Sequence, residues 1–373
     1  MQRIVRQSAL ILCVATLVAT STLVSAQEPT VLGQPISALL FGEFDYRERE
    51  NQGEDGFAIG QTVAQFNVQL DNRLSVFTEM TATARKGKDF EFEVERLFVR
   101  YDFSDQYKLS AGRYHTPLGY WNSAFHHGSW LQTTVSRPET VKFGSNVIPI
   151  HFVGALIEGN VGESSFGYKA GIGNGRSDEI NDPGDFGDSN GNRAWLLAGN
   201  YRPPGGYRLN AGLSLYIDQI SPDFEPDIDE QLINAYVVLE GETPEVLVEY
   251  TYAKHDSSLS EGNVNSAYAQ LAYRLSGRAY PFKPYLRVER LDVDDEDPLL
   301  GDLNLGYKGV TAGTRWDFSS HAVLKAEVRR EKSDTLSTRN SFWLQLAFVF
   351  DASSAYRSYR SYAPTGQSYG SPR

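Results

Sequence analysis

From about residue 36 to residue 350 the chain alternates apolar and polar side chains in short segments, a period of two that predicts strands with two unlike faces. Ile36–Arg47 sets Ile36, Ala38, Leu40, Phe44 and Tyr46 on one face, against Glu43, Asp45 and Arg47. Phe57–Asp71 sets Ala64, Phe66, Val68 and Leu70 against Gln65, Asn67, Gln69 and Asp71, and an Asp71-Asn72-Arg73 turn leads into Leu74–Arg85. In Phe90–Phe103 the phase slips. Phe90, Phe92 and Val94 share a face that Leu97, Val99, Tyr101 and Phe103 then take over, which predicts a one-residue bulge near Glu95-Arg96. Tyr107–Arg113 is the fifth segment. The later ones are Phe152–Asn160, Ser165–Asn174, Arg193–Arg202, Tyr207–Asp218, Glu230–Glu240, Glu245–His255, Asn265–Leu275, Phe282–Asp292, Lys308–Phe318, Ala322–Lys332 and Ser341–Phe350.

One stretch does not alternate. Tyr114–Ile150 separates the fifth segment from the sixth, and Pro117-Leu118-Gly119 within it is a turn signal. Connections after even-numbered segments are short, while many after odd-numbered ones are long, including the acidic stretches Arg176–Asn192 and Val293–Gly306 and the loop Asp256–Val264. An even strand count with short turns at one end and long loops at the other is the pattern of outer-membrane barrels. The expected fold is all-β: a transmembrane antiparallel β-barrel of about 16 strands, with the long third extracellular loop, 114–150, folded into the lumen. A soluble all-β protein would need one face of each strand to be a packed core. Glu91, Glu93, Arg100, Arg315, Asp317, Lys325, Glu327 and Arg329 make the polar faces too charged for that.

The ends and the composition agree with export to a membrane. Arg3 and Arg6 precede the apolar run Ser8–Val24, and Val24-Ser25-Ala26 is a small-residue cleavage site, so 1–26 reads as a secretory signal peptide. Cys13, the single cysteine, leaves with it, and the barrel segment 27–350 has no thiol chemistry. The formal net charge of −12 argues against nucleic acid as a partner. The 21 Tyr and 20 Phe are enough to build aromatic girdles at two membrane interfaces. The last segment ends in Phe350, similar to the assembly signal of outer-membrane proteins. It is followed by a Ser/Tyr/Arg-rich tail, 351–373, whose composition is that of a disordered segment.

Candidate chemistry lies on the polar faces and in the loop. Ion selectivity needs like charges gathered at a narrow point. Arg96, Arg100, Arg287, Arg315, Lys325 and Arg329 face inward by alternation and could form a basic ladder, opposite an acidic wall of Glu43, Asp45, Glu79, Glu91 and Glu93. The alternative is local neutralisation: Arg287 with Glu289, Arg315 with Asp317, and Glu327 with Arg329. The constriction loop offers His115, Trp121, His126, His127, Trp130, Arg137 and Lys142. Four imidazoles (His151 included) invite a metal, but no known ligand spacing appears, so the expectation is hydrogen-bonded histidines and no metal or other cofactor. Trp121, Trp130, Tyr114 and Tyr120 could stack on sugar rings or pin the loop to the wall. Asp178–Asp188 and Asp292–Asp302 could hold divalent cations bridging lipopolysaccharide, although neither has EF-hand spacing. Ser123 with His126 or His127 is the only local pair with nucleophile chemistry, and without an oxyanion motif it predicts no catalytic residue.

The run Ala111–Asn122, AGRYHTPLGYWN, followed by His126-His127-Gly128, resembles the phosphate-selective porin O/P superfamily. Glu95–Tyr101 and Thr314–Phe318 fit the same resemblance, which covers the barrel but is specific only over Gly112–Asn122. It implies a sixteen-stranded trimeric porin with its third loop turned inward. Phosphate selectivity in that family depends on constriction lysines and inward arginines. Here the loop holds only Lys142 and Arg137, so that selectivity is not implied. The function expected is passive diffusion of small polar or anionic solutes across a bacterial outer membrane, among lipid and lipopolysaccharide. The alternative is a non-conducting or plugged barrel with a structural or surface-binding role, to which large inward side chains such as Trp343 and Tyr216 lend support.

Overall fold

The computed structural model of the chain describes residues 30–353 except 32–33, 51–54, 86, 88, 177, 179, 181–183, 205–207, 224 and 336. The signal segment 1–26 and the tail from 354 lie outside the described residues. Every alternating segment is a strand. They are β1 (Gln34–Arg49), β2 (Gly56–Ile59 and Gln61–Gln69), β3 (Leu74–Ala84), β4 (Phe90–Asp102), β5 (Lys108–His115), β6 (His151–Asn160), β7 (Phe166–Gly173), β8 (Ala194–Tyr201), β9 (Leu209–Ile220), β10 (Ile228–Leu239), β11 (Glu245–Ser257), β12 (Glu261–Ala272), β13 (Phe282–Val293), β14 (Tyr307–Trp316), β15 (Ala322–Ser333) and β16 (Arg339–Asp351). A two-residue ladder also pairs Thr30–Val31 with Gln34 and Pro35.

Each strand pairs antiparallel with its neighbours in sequence, and β16 returns to β1 in a ladder running from Ser341↔Arg49 to Asp351↔Leu39. The sheet is therefore a closed antiparallel barrel of sixteen strands. Closure satisfies every ladder without an edge, the only way strands can cross hydrocarbon. The phase slip in β4 is a bulge: Glu79 pairs with Arg96 and Met80 with Val94, so Glu95 is the extra residue. A second bulge interrupts β2 at Gly60, between the pairs Phe44↔Ile59 and Phe41↔Val63.

The stretch Asp256–Val264, expected to be a loop, is mostly strand. The β11–β12 ladder continues to Asp256↔Glu261, and only a tight turn closed by the Ser257 N–H on Ser260 O (2.9 Å) remains. Polar residues on the outer face hid the pattern. Tyr252 donates to Asn263 (2.5 Å), and Lys254 bridges Asp256 and Glu261.

Polarity is inverted relative to a water-soluble sandwich. Leu213, Ile233, Val248, Leu271, Val288, Val310 and Val328 stand exposed on the outside, while Glu249, Arg287, Lys325 and Glu327 are buried inside. An apolar outer band around a polar interior is what a lipid environment selects. The connections 103–107, 161–165 and 273–281 share one end of the barrel, and Phe103, Tyr107, Phe166, Tyr273, Tyr280, Phe282, Trp316 and Phe318 mark its rim. Phe282 stacks on Trp316 and Phe166 packs tilted against Tyr201 there, as in an interfacial girdle. The longest connections, 116–150, 174–193 and 294–306, all leave the opposite end.

Candidate functional site: the loop inside the lumen

The loop between β5 and β6 is clasped at its base by the last ladder pair, His115↔His151, and by the Thr116 N–H on Ile150 O (2.9 Å). It then turns inward at Gly119, whose φ is +76°. A Cβ at Gly119 would lie 1.9 Å from Glu249 Oε1, so only glycine lets the backbone pass this close to β11. One helical turn and a half follows, α1 (Tyr120–Phe125). It has no side-chain cap of its own, and the wall supplies one: the Tyr120 and Trp121 N–H groups both donate to Glu249 Oε2 (3.2 Å each). Leu118, Trp121 and Val147 are fully buried against Phe152, Leu196, Tyr216, Leu232 and Tyr268. The apolar core of this protein thus lies inside the barrel, between the loop and one arc of the inner wall.

A loop buried in this way must find partners for its backbone polar groups. The inward charged side chains provide them. Arg287 donates to Ser136 O (2.8 Å), Ser136 Oγ (2.6 Å), Arg137 O (3.0 Å) and Thr134 Oγ1 (3.2 Å). Arg315 donates to Trp130 O (2.6 Å) and Gln132 O (3.0 Å), and Lys325 to Ser129 O (2.6 Å) and Thr134 O (3.0 Å). Carboxylates take the donors. The Val135 N–H reaches Glu327 Oε2 (2.9 Å), the Ser136 N–H Glu327 Oε1 (3.2 Å), and the Glu139 N–H Glu289 Oε2 (2.8 Å). Farther along, Arg176 donates to Asn146 O (2.8 Å) while paired with Glu230 (2.9 Å).

Of the two charge arrangements open from sequence, the side chains adopt the paired one. Arg287 meets Glu289 (3.1 Å), Arg315 meets Asp317 (2.8 Å), and Arg329 meets Glu327 (2.6 Å). Arg96 binds Glu79 (2.5 Å), Arg100 binds Asp102 (2.6 Å) and Glu158 (3.2 Å), and Glu91 binds Arg85 (2.8 Å). A basic ladder facing a separate acidic wall is not what forms, because two residues of opposite charge at i and i+2 on one strand share a face and neutralise each other at close range. Glu43 and Asp45 both accept from Gln345 (3.4 and 3.0 Å), and Lys142 pairs within the loop with Glu139 (2.9 Å). Trp121 and Tyr114 are in the core and offer no face to a sugar, while Trp130 lies beneath Arg315. Ser123 Oγ donates to Gly119 O (2.8 Å), which directs it away from both neighbouring histidines.

The loop divides the lumen. Toward the short-turn end lies a chamber of about 670 Å³, whose charged lining is Asp105, Lys108, Glu158, Lys169 and Arg202. Toward the long-loop end lies one of about 310 Å³. Its lining carries six basic groups (Arg49, Arg137, Lys142, Arg287, Arg329, Arg339) and five acidic ones (Glu43, Asp45, Glu139, Glu289, Glu331), a nearly balanced field.

Where the loop meets β3–β6, the four histidines converge. His115 and His126 have ring centroids 3.9 Å apart, and His127 and His151 lie 5.3 and 5.5 Å from His115. Glu79 and the bulged Glu95 point into the same cluster, and Arg137 stacks on Phe143 at its edge (3.7 Å). Burial first, then the neighbouring imidazoles and Arg137, hold His126 well below the usual histidine range. Burial likewise pushes the Arg137 guanidinium down to about 10, against the pull of Glu43, Glu95 and Glu79. Glu95 and Glu249 were not picked out as site residues from sequence, Glu289 and Glu327 entered only as neutralising partners of Arg287 and Arg329, and His151 only as one of four imidazoles. In the other loops, Asp297 binds His255 (2.7 Å), and Asp185 and Asp188 pair with Arg113 and Arg193.

No protein-family profile matches the chain, and no curated protein sequence matches it. Solved structures do. An in-vitro folded OmpT, an outer membrane protein of Vibrio cholerae in a trimer form, shares 12% identity over 85% of this chain and 99% of that one, with a TM-score of 0.58. The outer membrane channel DcaP of Acinetobacter baumannii shares 12% over 85% and 97%, with a TM-score of 0.58. An anion-selective porin from Comamonas acidovorans shares 11% over 85% and 100%, with a TM-score of 0.60. At such identities the likeness is one of fold, and the fold this chain shares is that of the outer-membrane porins.

Proposed function

We propose that the protein is a passive diffusion channel of a bacterial outer membrane, with loop 116–150 as its constriction. The observation that carries this reading is a closed barrel with an apolar exterior and a charged chamber on each side of an inserted loop. The likeness in fold to a solved outer membrane channel and a solved porin supports it. Solutes move down their gradient, selected by size and by the field of the chamber walls, and no covalent step is involved. With six basic groups against five acidic ones in the long-loop chamber, that field discriminates weakly between anions and cations, so phosphate selectivity is not expected. The long loops face the cell exterior and the short turns the periplasm. The phosphate-selective O/P resemblance remains the family reading we favour, resting on Gly112–Asn122. A homotrimer is the assembly we propose, as in the trimer form of the Vibrio protein, and chemical crosslinking of the detergent-solubilised protein tests it.

A second reading has its own observation. The loop packs into a dry core with Leu118, Trp121 and Val147 fully buried, which suits a barrel plugged by its own loop. Single-channel recording in a planar bilayer separates the two. Discrete conductance steps support the channel, and their absence from a folded barrel supports the plug.

A further inference from the structure

We propose that Glu95, His115 and His126 hold a divalent transition-metal ion that staples the loop to the barrel wall. Asn122 donates through Nδ2 to Thr116 O (2.8 Å), which leaves its Oδ1 to accept from His126 Nδ1 (2.8 Å). His126 therefore carries its proton on Nδ1 and turns a bare Nε2 toward the cluster, where that atom is buried and has no hydrogen-bond partner. His127 Nδ1 meets Gln61 Oε1 (2.7 Å), and its Nε2, buried and without a hydrogen-bond partner, lies 3.2 Å from Glu95 Oε2 and 3.7 Å from Glu79 Oε1.

The carboxylate of Glu95 sharpens the problem. It is 2% exposed and has no arginine or lysine partner among the described residues. Its contacts are the Thr81 hydroxyl (3.0 Å), the Glu93 carboxyl and two imidazoles. Arg113 donates to His151 Nδ1 (3.1 Å), which leaves the His151 proton on Nε2, 2.8 Å from Glu95 Oε2. A buried carboxylate without a cation is costly. The unpartnered Nε2 atoms of His115 and His126 gathered beside it suit a positive charge in the middle.

The donor set fits one. Ligand atoms of Glu95, His115, His126 and His151 all lie within 4.8 Å of one another, as do those of Glu79, His115 and His127. Metal–nitrogen bonds of about 2.0–2.1 Å place tetrahedral ligands about 3.3 Å apart, so a modest inward shift of these side chains completes the shell. Two imidazoles and one carboxylate, with a further position open, suit zinc, cobalt or nickel rather than calcium or magnesium. An outer partner is present as well: Asn122 fixes the His126 ring. His126 belongs to the loop, His115 to β5 and Glu95 to the β4 bulge, so one ion joins elements that the sequence keeps apart.

Cobalt(II) and zinc(II) test the site in the folded, EDTA-treated protein in detergent. The expected result is one cobalt per barrel with the visible absorption of tetrahedral nitrogen and oxygen ligation, displaced by one zinc. Glu95→Gln and His126→Ala should abolish uptake. Gln61→Ala, which frees the His127 ring, should leave the cobalt spectrum intact, and His321→Ala, on an exposed turn, should change nothing. Heat-modifiable migration shows that each variant has folded. A wild-type protein that retains no zinc and gives no cobalt spectrum overturns the proposal without reference to any variant, and leaves an imidazolium–carboxylate pair in the metal's place. Uptake by folded His126→Ala equal to the wild type overturns it as well. Metal uptake does not depend on conductance, so this proposal and the channel reading fail separately.

Discussion

Glu249 shows how a single side chain sets the position of the loop. Its carboxylate accepts two helix N–H groups, the Asn234 amide (2.9 Å) and the Tyr268 hydroxyl (3.0 Å), while Gly119 leaves the room for that approach. Removing it strands buried donors, each worth about 1–3 kcal/mol when unsatisfied. Glu249→Ala should therefore loosen the loop without opening the barrel ladder. The expected outcome is noisier, larger conductance steps with unchanged heat-modifiable migration. Arg287 makes the opposite contribution, donating to the loop segment 134–137. Were it a selectivity residue, Arg287→Ala would shift the reversal potential and leave step size alone. As a clamp it should increase step size by more than it changes the permeability ratio, and recordings under a salt gradient read both.

At the scale of elements, the strands were legible because lipid outside and polar groups inside force a strict period of two, and the bulge at Glu95 was legible because the period breaks there. The β11–β12 turn was not, because Tyr252 and Asn263 pair on the outer face and erase the apolar signal. The loop's position was legible only as an absence of alternation. What holds it was hidden by distance along the chain: Val135 and Glu327 are 192 positions apart, and no local pattern links them. For the same reason the four imidazoles showed no ligand spacing, since the cluster's carboxylates come from β3 and β4 and its rings from β5, β6 and the loop. The outer face allows a simpler test. Leu213, 57% exposed on β9, faces the surroundings, and Leu213→Arg should cost about 2–4 kcal/mol in bilayer folding assays if it sits near the midplane. An equal cost in lipid and in detergent solution would argue against a lipid-facing wall. Trp121→Ala removes the loop's largest buried side chain and should destabilise the loop core by about 3–5 kcal/mol, read as accelerated hydrogen exchange over 118–148 with the strands unchanged.

For the whole molecule, the charged interior has two tasks. Some side chains bind the loop backbone, others line the chambers, and Arg287 and Glu289 do both. In the proposed channel the near balance of signs leaves size as the main filter, so a barrel rich in inward arginines need not be a strong anion filter. The proposed channel requires that the inserted loop narrow the lumen without sealing it. The conductance of single folded molecules in a planar bilayer under a salt gradient tests this. Small, discrete steps with a reversal potential close to zero are expected. Folded protein that yields no steps would contradict it and leave the loop as a plug.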